Sequence, residues 1–247
     1  CQQYADRIRV YDALPSTNQT AKELALSGAG HGTVILANRQ SAGRGRKGRA
    51  FFSPPGGLYM SVILKPDALP FDQVTCVTAF AAVAVCEALR ETAGVSPGIK
   101  WVNDIQLDGK KVCGILTEAV TDFESGGLDW IVVGLGVNLG VRAEDFPPEL
   151  QSIAASVDPE GSIPSLRNRL CAAILNRLLS GDVPDQPQML RRYRELLRTL
   201  GRPVTVIQGD TQYPATALDI DGAGHLLVEK ADGTRAVLTS GEVSIRT

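Results

Sequence analysis

Residues 40–49 read QSAGRGRKGR, and positions 43–49 carry four cationic side chains and three glycines. Glycines let the backbone approach a ligand closely and expose its N–H groups, while the cations neutralise phosphate or carboxylate charge. Apolar runs at 33–37 and 58–64 flank this stretch and predict two buried strands. We therefore expect an anion-binding loop held between two strands of a sheet.

Two known phosphate-binding patterns can be compared with this loop. A P-loop ends in Gly-Lys followed by Ser or Thr, whereas Gly48 is followed by Arg49 and Ala50. The glycine spacing does satisfy the dinucleotide-binding pattern, but that pattern needs a helix after it. Residues 51–57 read FFSPPGG, whose prolines and glycines exclude a helix. A solvated basic loop or a non-specific RNA contact remains open as an alternative.

The composition limits the class of protein. The 247 residues include 25 Lys+Arg and 27 Asp+Glu, a net charge of −2. This balance excludes the global basic field of a dedicated nucleic-acid binder, so any cationic site must be local. The most apolar run, 79–85, is too short to span a bilayer, and no signal-peptide pattern opens the chain. We predict a cytoplasmic protein that does not bind membranes.

The remaining pattern predicts an α+β domain followed by a small β domain. Helical spacing of apolar residues occurs at 19–26, 73–92, 165–180 and 188–200. Strands are predicted at 99–102, 111–120 and 130–135, with an Asp108-Gly109 hairpin turn between the first two. After Gly201, short strands at 204–207, 215–220, 225–230 and 236–239 are separated by turns. We expect a mixed sheet flanked by helices over residues 1–200 and a small β-barrel over residues 201–247.

Several segments together resemble biotin protein ligases. The loop at 40–49 resembles the biotin-binding loop of that family. It is accompanied in order by STN at 16–18, FSP at 52–54 with GLYMS at 57–61, KWVND at 100–104, GILTE at 114–118 and GLGVNL at 134–139. The resemblance covers about residues 12–200. It implies the biotin/lipoate ligase-like catalytic fold, and the tail resembles the family's SH3-like C-terminal domain.

The resemblance also implies a two-step reaction with biotin and ATP as substrates and Mg²⁺ as cofactor. The biotin carboxylate attacks the α-phosphate of ATP, which gives biotinyl-5′-AMP and pyrophosphate. A lysine ε-amine of a biotin carboxyl carrier protein then takes the biotin and releases AMP. Positioning and charge stabilisation would supply the catalysis. Two alternatives remain: a lipoate or octanoate ligase or transferase, and a non-enzymatic biotin or nucleotide sensor that binds DNA.

The biotin contacts implied by the resemblance are mostly short polar and cationic side chains. A buried ureido ring loses free energy when its donors and acceptor are unpaired, and such side chains can pair with it. Capping of the predicted helix by residues 16–18 is compatible with this role. The implied biotin-binding residues are Ser16, Thr17, Asn18, Gln40, Arg44, Gly45, Arg46 and Lys100.

Lys100 and Arg46 are expected to act in catalysis. By resemblance, Lys100 binds the biotin carboxylate and the nascent acyl phosphate; a surface lysine lying beside Trp101 is the alternative. Arg46 is expected nearest the carboxylate or phosphate. Asp104 is either a Mg²⁺ ligand or a turn-forming residue. The implied ATP contacts are Arg49, Phe51, Asn103 and Asn138.

The sequence departs from the family pattern at two positions. Phe51 stands where Trp is common, so stacking on adenine would be weaker, and Val102 replaces a common proline. No helix-turn-helix motif precedes Tyr4, so we expect no DNA binding by this chain. Whether the chain forms a homodimer is left open.

Overall fold

A seven-stranded mixed sheet forms the centre of the protein in the computed structural model, which describes residues 2–68, 74–121, 128–180, 183–209, 211–239 and 242–245. Its strands are β1 (Ile8–Leu14), β2 (Val34–Gln40), β3 (Leu58–Leu64), β4 (Gly98–Lys100), β5 (Asp104–Leu107), β6 (Lys110–Thr121) and β7 (Leu128–Val137). The spatial order is β1-β2-β3-β7-β6-β5-β4. β1 and β2 are parallel, and the other neighbours are antiparallel.

Helices cover both faces of this sheet. They are α1 (Thr17–Leu26), α2 (Val74–Ala93), α3 (Leu166–Leu179) and α4 (Gln186–Leu196), of which α2 begins at the first residue described after 69–73. Side chains alternate along a strand, so Ile35 packs in a cluster with Ala21 and Ala25 of α1, while Val34 and Leu36 enter the larger core beside α2 and α3. β3 is buried at every position, as a strand between two helical layers must be. This architecture confirms the predicted mixed sheet flanked by helices. Within the described residues, no helix is long and apolar enough to cross a membrane.

A second, five-stranded antiparallel sheet follows the helices. Its strands are β8 (Pro203–Gln208), β9 (Thr211–Ile220), β10 (Leu226–Lys230), β11 (Arg235–Leu238) and β12 (Glu242–Ile245), in the order β11-β10-β9-β8-β12. It confirms the predicted small C-terminal β domain. Its buried residues, among them Val204 and Leu226, belong to the same hydrophobic cluster as α2–α4. The second sheet is therefore packed onto the first domain.

Three details of the prediction were wrong or incomplete: the number of strands, the place of one turn and the end of the last helix. Strands β1, β5 and β12 were missed, two of them at sheet edges, where a strand needs few apolar residues. The Asp108-Gly109 turn joins β5 to β6 and not β4 to β6, because β5 lies between them. The last helix ends at Leu196 instead of residue 200. Its continuation lies along β4, where the Arg198 N–H donates to the Ile99 carbonyl at 2.8 Å.

Candidate functional site

The glycine–arginine loop leaves the end of β2 and turns back on itself. The Gly45 N–H donates to the Arg49 carbonyl at 2.7 Å, and the Phe51 N–H donates to the Gly43 carbonyl at 2.8 Å. Gly43 has no room for a side chain, because a Cβ atom there would lie 2.4 Å from the Phe51 carbonyl oxygen. Lys47 makes the reversal with a φ of 55°. The loop is thus a short hairpin with a defined backbone.

Two adjoining cavities lie beside this hairpin, one of about 40 Å³ and one of about 1020 Å³. All of the predicted site residues line one or both of them. Of these predicted residues, five line only the small cavity: Ser16, Thr17, Asn18, Gln40 and Arg44. Four others line only the large cleft: Arg49, Lys100, Asp104 and Asn138. Gly45, Arg46, Phe51 and Asn103 line both, so they lie where the two spaces meet.

Gln40 joins the loop to the start of α1. Its Oε1 accepts the backbone N–H of Thr17 at 2.8 Å, and its Nε2 donates to the Ser53 hydroxyl at 2.9 Å. Ser16 is the N-cap residue of α1, but its side chain makes no capping hydrogen bond to the first turn of that helix. Capping by the 16–18 segment was therefore wrong for Ser16, since Gln40 supplies the acceptor. These two hydrogen bonds fix the Gln40 amide where it lines the small cavity.

A buried hydroxyl connects the first two helical residues to the sheet. Ser61 of β3 is fully buried and donates to the Asn18 Oδ1 at 2.6 Å, with Thr17 Oγ1 at 2.8 Å from the same hydroxyl. Asn18 Nδ2 donates to the Leu116 carbonyl at 3.1 Å. Gly134 makes room for this amide, because a Cβ there would meet Asn18 Oδ1 at 1.8 Å. The Asn18 amide is therefore held by protein groups and forms the wall of the cavity.

A carboxylate lies at the far end of the same network. Glu118 accepts a hydrogen bond from Asn18 Nδ2 at 2.9 Å and forms an ion pair with Lys22 Nζ at 2.7 Å. Partial burial raises the pKa of Glu118, but the hydrogen bonds from Lys22 and Asn18 outweigh it, so the pKa lies below its usual value. Glu118 is therefore ionised at neutral pH and fixes the orientation of the Asn18 amide.

The cations of the loop contact different neighbours. Arg44 Nη1 donates to Gln19 Oε1 at 3.1 Å, and Arg46 Nη1 donates to Asn103 Oδ1 at 3.3 Å. Lys47 reaches the second sheet, with Nζ 3.5 Å from the Ile207 carbonyl. Arg46 is the arginine that lies at the junction of the two cavities.

Lys100 enters the large cleft from the end of β4. Its neighbours Ile99 and Trp101 are buried, while Lys100 is half-buried and lines the cleft. The indole N–H of Trp101 donates to the Gly224 carbonyl at 3.1 Å, so this ring lies inside the protein. The structure thus places Lys100 half-buried beside a buried Trp101, at the wall of the large cleft.

Asp104 and Lys111 form an ion pair in the same cleft. Their Oδ1 and Nζ atoms are 2.6 Å apart, and Lys111 Nζ lies 5.7 Å from the centre of the Phe51 ring. Asn138 Nδ2 donates to the Ala155 carbonyl at 3.2 Å. In the described ranges, no group of three or more His, Cys, Asp or Glu residues could hold a metal ion. Among the residues that the structure describes, the carboxylates lining this cleft are those of Asp104 and Asp108, so a metal here would depend on these two.

Three residues of this candidate site were not predicted from the sequence: Ser61, Lys111 and Glu118. Ser61 carried a usable signal, because it is the one polar residue between Leu58 and Leu64. Glu118 ends a segment that had been noted only for its resemblance. Lys111 carried no signal, because its place depends on the pairing of β6 with β5. The residues predicted from the sequence thus line the two cavities, but some of the contacts between the lining residues were missed.

Comparisons with known proteins agree with this geometry. The model described as the biotin/lipoate A/B protein ligase family matches residues 10–138. A second model, described as the biotin protein ligase C-terminal domain, matches residues 199–246. The chain therefore belongs to the biotin/lipoate A/B protein ligase family. Within that family, its C-terminal match and the relatives below are those of biotin protein ligases.

Individual relatives and structures support the same assignment. The chain is 44% identical over 148 residues to the bifunctional ligase/repressor BirA of Bacillus subtilis, covering 60% of this chain and 45% of that protein. It is 32% identical over 243 residues to the biotin–[acetyl-CoA-carboxylase] ligase of Paracoccus denitrificans, covering 92% of this chain and 96% of that protein. The chain thus spans less than half of the first relative. It is also similar to the biotin protein ligase from Aquifex aeolicus in complex with biotin and ATP, with a TM-score of 0.80, 26% identity, and coverage of 97% of this chain and 98% of that one.

Proposed function

We propose that this protein is an ATP-dependent biotin protein ligase. Biotin and ATP form biotinyl-5′-AMP and pyrophosphate, and the biotinyl group then passes to a lysine of a biotin carboxyl carrier protein. In the first step a biotin carboxylate oxygen bonds to the α-phosphorus, and the bond to pyrophosphate breaks. In the second step the lysine amine bonds to the carbonyl carbon, loses a proton, and AMP leaves.

One observation carries the proposal: the small cavity, which is lined by polar side chains such as Asn18 and Gln40 beside apolar ones, adjoins at Arg46 and Phe51 a cleft large enough for a nucleotide. The small cavity ends in the network of Gln40, Thr17 and Asn18, which suits a ureido ring and not a hydrocarbon ring. A biotin held there by its head directs its carboxylate toward the cleft. The acid and the nucleotide would thus meet at the junction.

The residues of the site take roles that follow from their places. Ser16, Thr17, Asn18 and Gln40 surround the biotin head, and Arg44, Gly45 and Arg46 cover its carboxylate end. Lys100 and Arg46 stabilise the charge that develops on the carboxylate and α-phosphate. Arg49, Phe51, Asn103 and Asn138 contact ATP. Catalysis is therefore by positioning and charge stabilisation, with no covalent enzyme intermediate.

Mg²⁺ fits this site only as a companion of ATP. Mg²⁺ is commonly bound through one or two carboxylates together with substrate phosphates, and Asp104 provides one carboxylate in the cleft. When bound, the ion neutralises phosphate charge. Lys111, which also lines the cleft, pairs with the Asp104 carboxylate at 2.6 Å.

Two wider assignments belong to the same proposal. We place the division between the catalytic domain and the SH3-like domain after Leu200, which agrees with the second family match beginning at residue 199. We also place the reaction in the cytoplasm, because it consumes ATP. The carrier lysine would approach the adenylate through the open large cleft.

Measurement of ATP–pyrophosphate exchange tests the proposal directly. Exchange should depend on biotin, and the same enzyme with lipoate should give no exchange. Incubation with biotin, Mg-ATP and a biotin carboxyl carrier domain should then label one lysine of that domain. Exchange supported by lipoate instead of biotin would assign the protein to the lipoate branch of the family.

A further inference from the structure

The strand that carries Lys100 lies at an edge of the seven-stranded sheet. β4 pairs with β5 on one side, and on its other side lie the residues that follow α4. Leu197 and Ile99 form a parallel bridge, and the Trp101 N–H donates to the Thr199 hydroxyl at 3.0 Å. The segment 197–199 therefore takes the place of a neighbouring strand just where Lys100 enters the cleft.

Thr199 is completely buried, and so is the hydrogen bond that it accepts. A buried backbone N–H needs an acceptor, and the hydroxyl is the group that the fold offers to Trp101. The conformation of the peptide that joins Lys100 to Trp101 thus depends on a side chain outside the sheet. The sequence pattern predicted that Thr199 belongs to the helix over 188–200, whereas the helix ends at Leu196.

Two further contacts hold the same segment. The Trp101 indole donates to the Gly224 carbonyl of the turn between β9 and β10, and the Tyr193 hydroxyl donates to the Val102 carbonyl at 2.8 Å. Both Tyr193 and Trp101 are buried. Residues directly after Lys100 are thus bound to α4, to the segment that follows it and to the second sheet.

We infer that Thr199 is a positioning residue for Lys100, acting through its hydrogen bond to the Trp101 N–H. The inference rests on the proposed function, in which Lys100 stabilises the adenylation transition state. Displacement of a catalytic group by about 1 Å can lower a rate by about 100-fold. The biotin head is held by α1, β2 and β3, which Thr199 does not touch, so biotin binding should not depend on this hydroxyl.

The test compares Thr199→Val with Thr199→Ser in biotin-dependent ATP–pyrophosphate exchange. Thr199→Val keeps the shape but removes the acceptor, and we expect kcat to fall about 10-fold or more with a KM for biotin within about twofold of the parent. Thr199→Ser retains the hydroxyl and should recover most of kcat. Thr92→Val is the matched control, because Thr92 is also a buried threonine whose hydroxyl bonds within its own helix, to the Ala88 carbonyl. It should lower the melting temperature without lowering kcat.

A double-substitution cycle separates positioning from general loosening. In a Lys100→Ala background, Thr199→Val should have little further effect on kcat, because the group that it positions is gone. Equal loss of kcat with and without Lys100, or an unchanged kcat for Thr199→Val, would overturn the inference. If Lys100→Ala itself keeps the parent rate, the catalytic assignment fails instead, and the two failures are thereby distinguished.

Discussion

Lys100 and Arg46 come from different elements: Lys100 lines the large cleft from the end of β4, and Arg46 lies at the junction of the two cavities on the glycine–arginine loop. Arg46 Nη1 donates to Asn103 Oδ1 at 3.3 Å, and Asn103 Nδ2 in turn donates to the Ile115 carbonyl at 2.8 Å. The loop arginine is thereby linked to the sheet that carries Lys100. Each cation can therefore be tested by its own substitution.

Removing the Lys100 ammonium should slow adenylate formation. A charge-assisted hydrogen bond contributes roughly 1.5–3 kcal/mol, so Lys100→Ala should lower the exchange rate about 10- to 150-fold if the bond forms fully in the transition state. The measurement is biotin-dependent ATP–pyrophosphate exchange, with circular dichroism to verify the fold. A folded variant with the parent rate would remove Lys100 from the catalytic group.

Removing the Arg46 guanidinium should affect retention of the adenylate as well as its formation. Arg46→Gly deletes one charge-assisted contact and adds mobility to a glycine-rich loop. Biotinyl-5′-AMP should then escape more often and acylate other exposed lysines. We expect more label on a lysine-rich bystander protein per carrier labelled than with the parent.

Lys47→Gly is the matched control for that experiment. It adds a glycine to the same turn, but Lys47 is exposed and contacts the Ile207 carbonyl instead of Asn103. The label ratio with this variant should equal that of the parent. If Arg46→Gly also leaves the ratio unchanged while adenylate is still made, the retaining contact belongs to Arg44 or Arg49.

The turn between α1 and β2 is hydrogen-bonded to the residue that directly follows β3. His31 Nδ1 accepts the backbone N–H of Lys65 at 3.1 Å, which requires an unprotonated nitrogen. Burial, and after it the nearby Arg7 guanidinium, lower the pKa of His31 below its usual 6.5. The turn is thus an element whose stability depends on pH.

The direction of this dependence follows from proton linkage. Because the folded state binds the proton less readily, the His31 contribution is complete above pH 6.5 and is lost as the pH falls through the folded pKa. His31→Gln keeps an acceptor but does not titrate. Urea unfolding at about pH 7.5 and about pH 5.5 should therefore show a smaller loss of unfolding free energy for the variant than for the parent. Equal losses would assign the pH dependence to other groups.

Across the whole molecule, positive charge is concentrated at the glycine–arginine loop, while the chain as a whole has a net charge of −2. A charge distribution of this kind supports a local anion site and not a long nucleic-acid track. We expect duplex DNA to bind this chain only weakly and without sequence preference, with a Kd of about 10⁻⁴ to 10⁻⁶ M. Fluorescence anisotropy with labelled duplexes at several salt concentrations measures this. Nanomolar, sequence-selective binding would contradict the prediction.

Local features were accurately predictable because neighbouring residues determine them. The run at 58–64 is apolar enough that only a fully buried strand suits it, and β3 has those bounds. The prolines and glycines after the loop exclude a helix, and the loop closes as a hairpin. The edge strand β1 and the inner strand β5 were not predictable, because no side chain of β1 and only Ile105 of β5 is fully buried, so neither has an apolar run.

The sequence by itself determined the glycine–arginine loop and identified the polar and cationic side chains that line the two cavities. Folding established which of these touch, because periodicity identifies a buried face but not the strand that lies beside it. Ser61 reaches Asn18 across 43 positions, Asn18 reaches Glu118 across 100, and Trp101 reaches Thr199 across 98. These contacts depend on β7 and β6 lying between β3 and β5 in the sheet, and on the segment after α4 returning to β4. Such long-range pairings minimise unpaired buried polar groups over the whole molecule, so no single stretch of sequence specifies them.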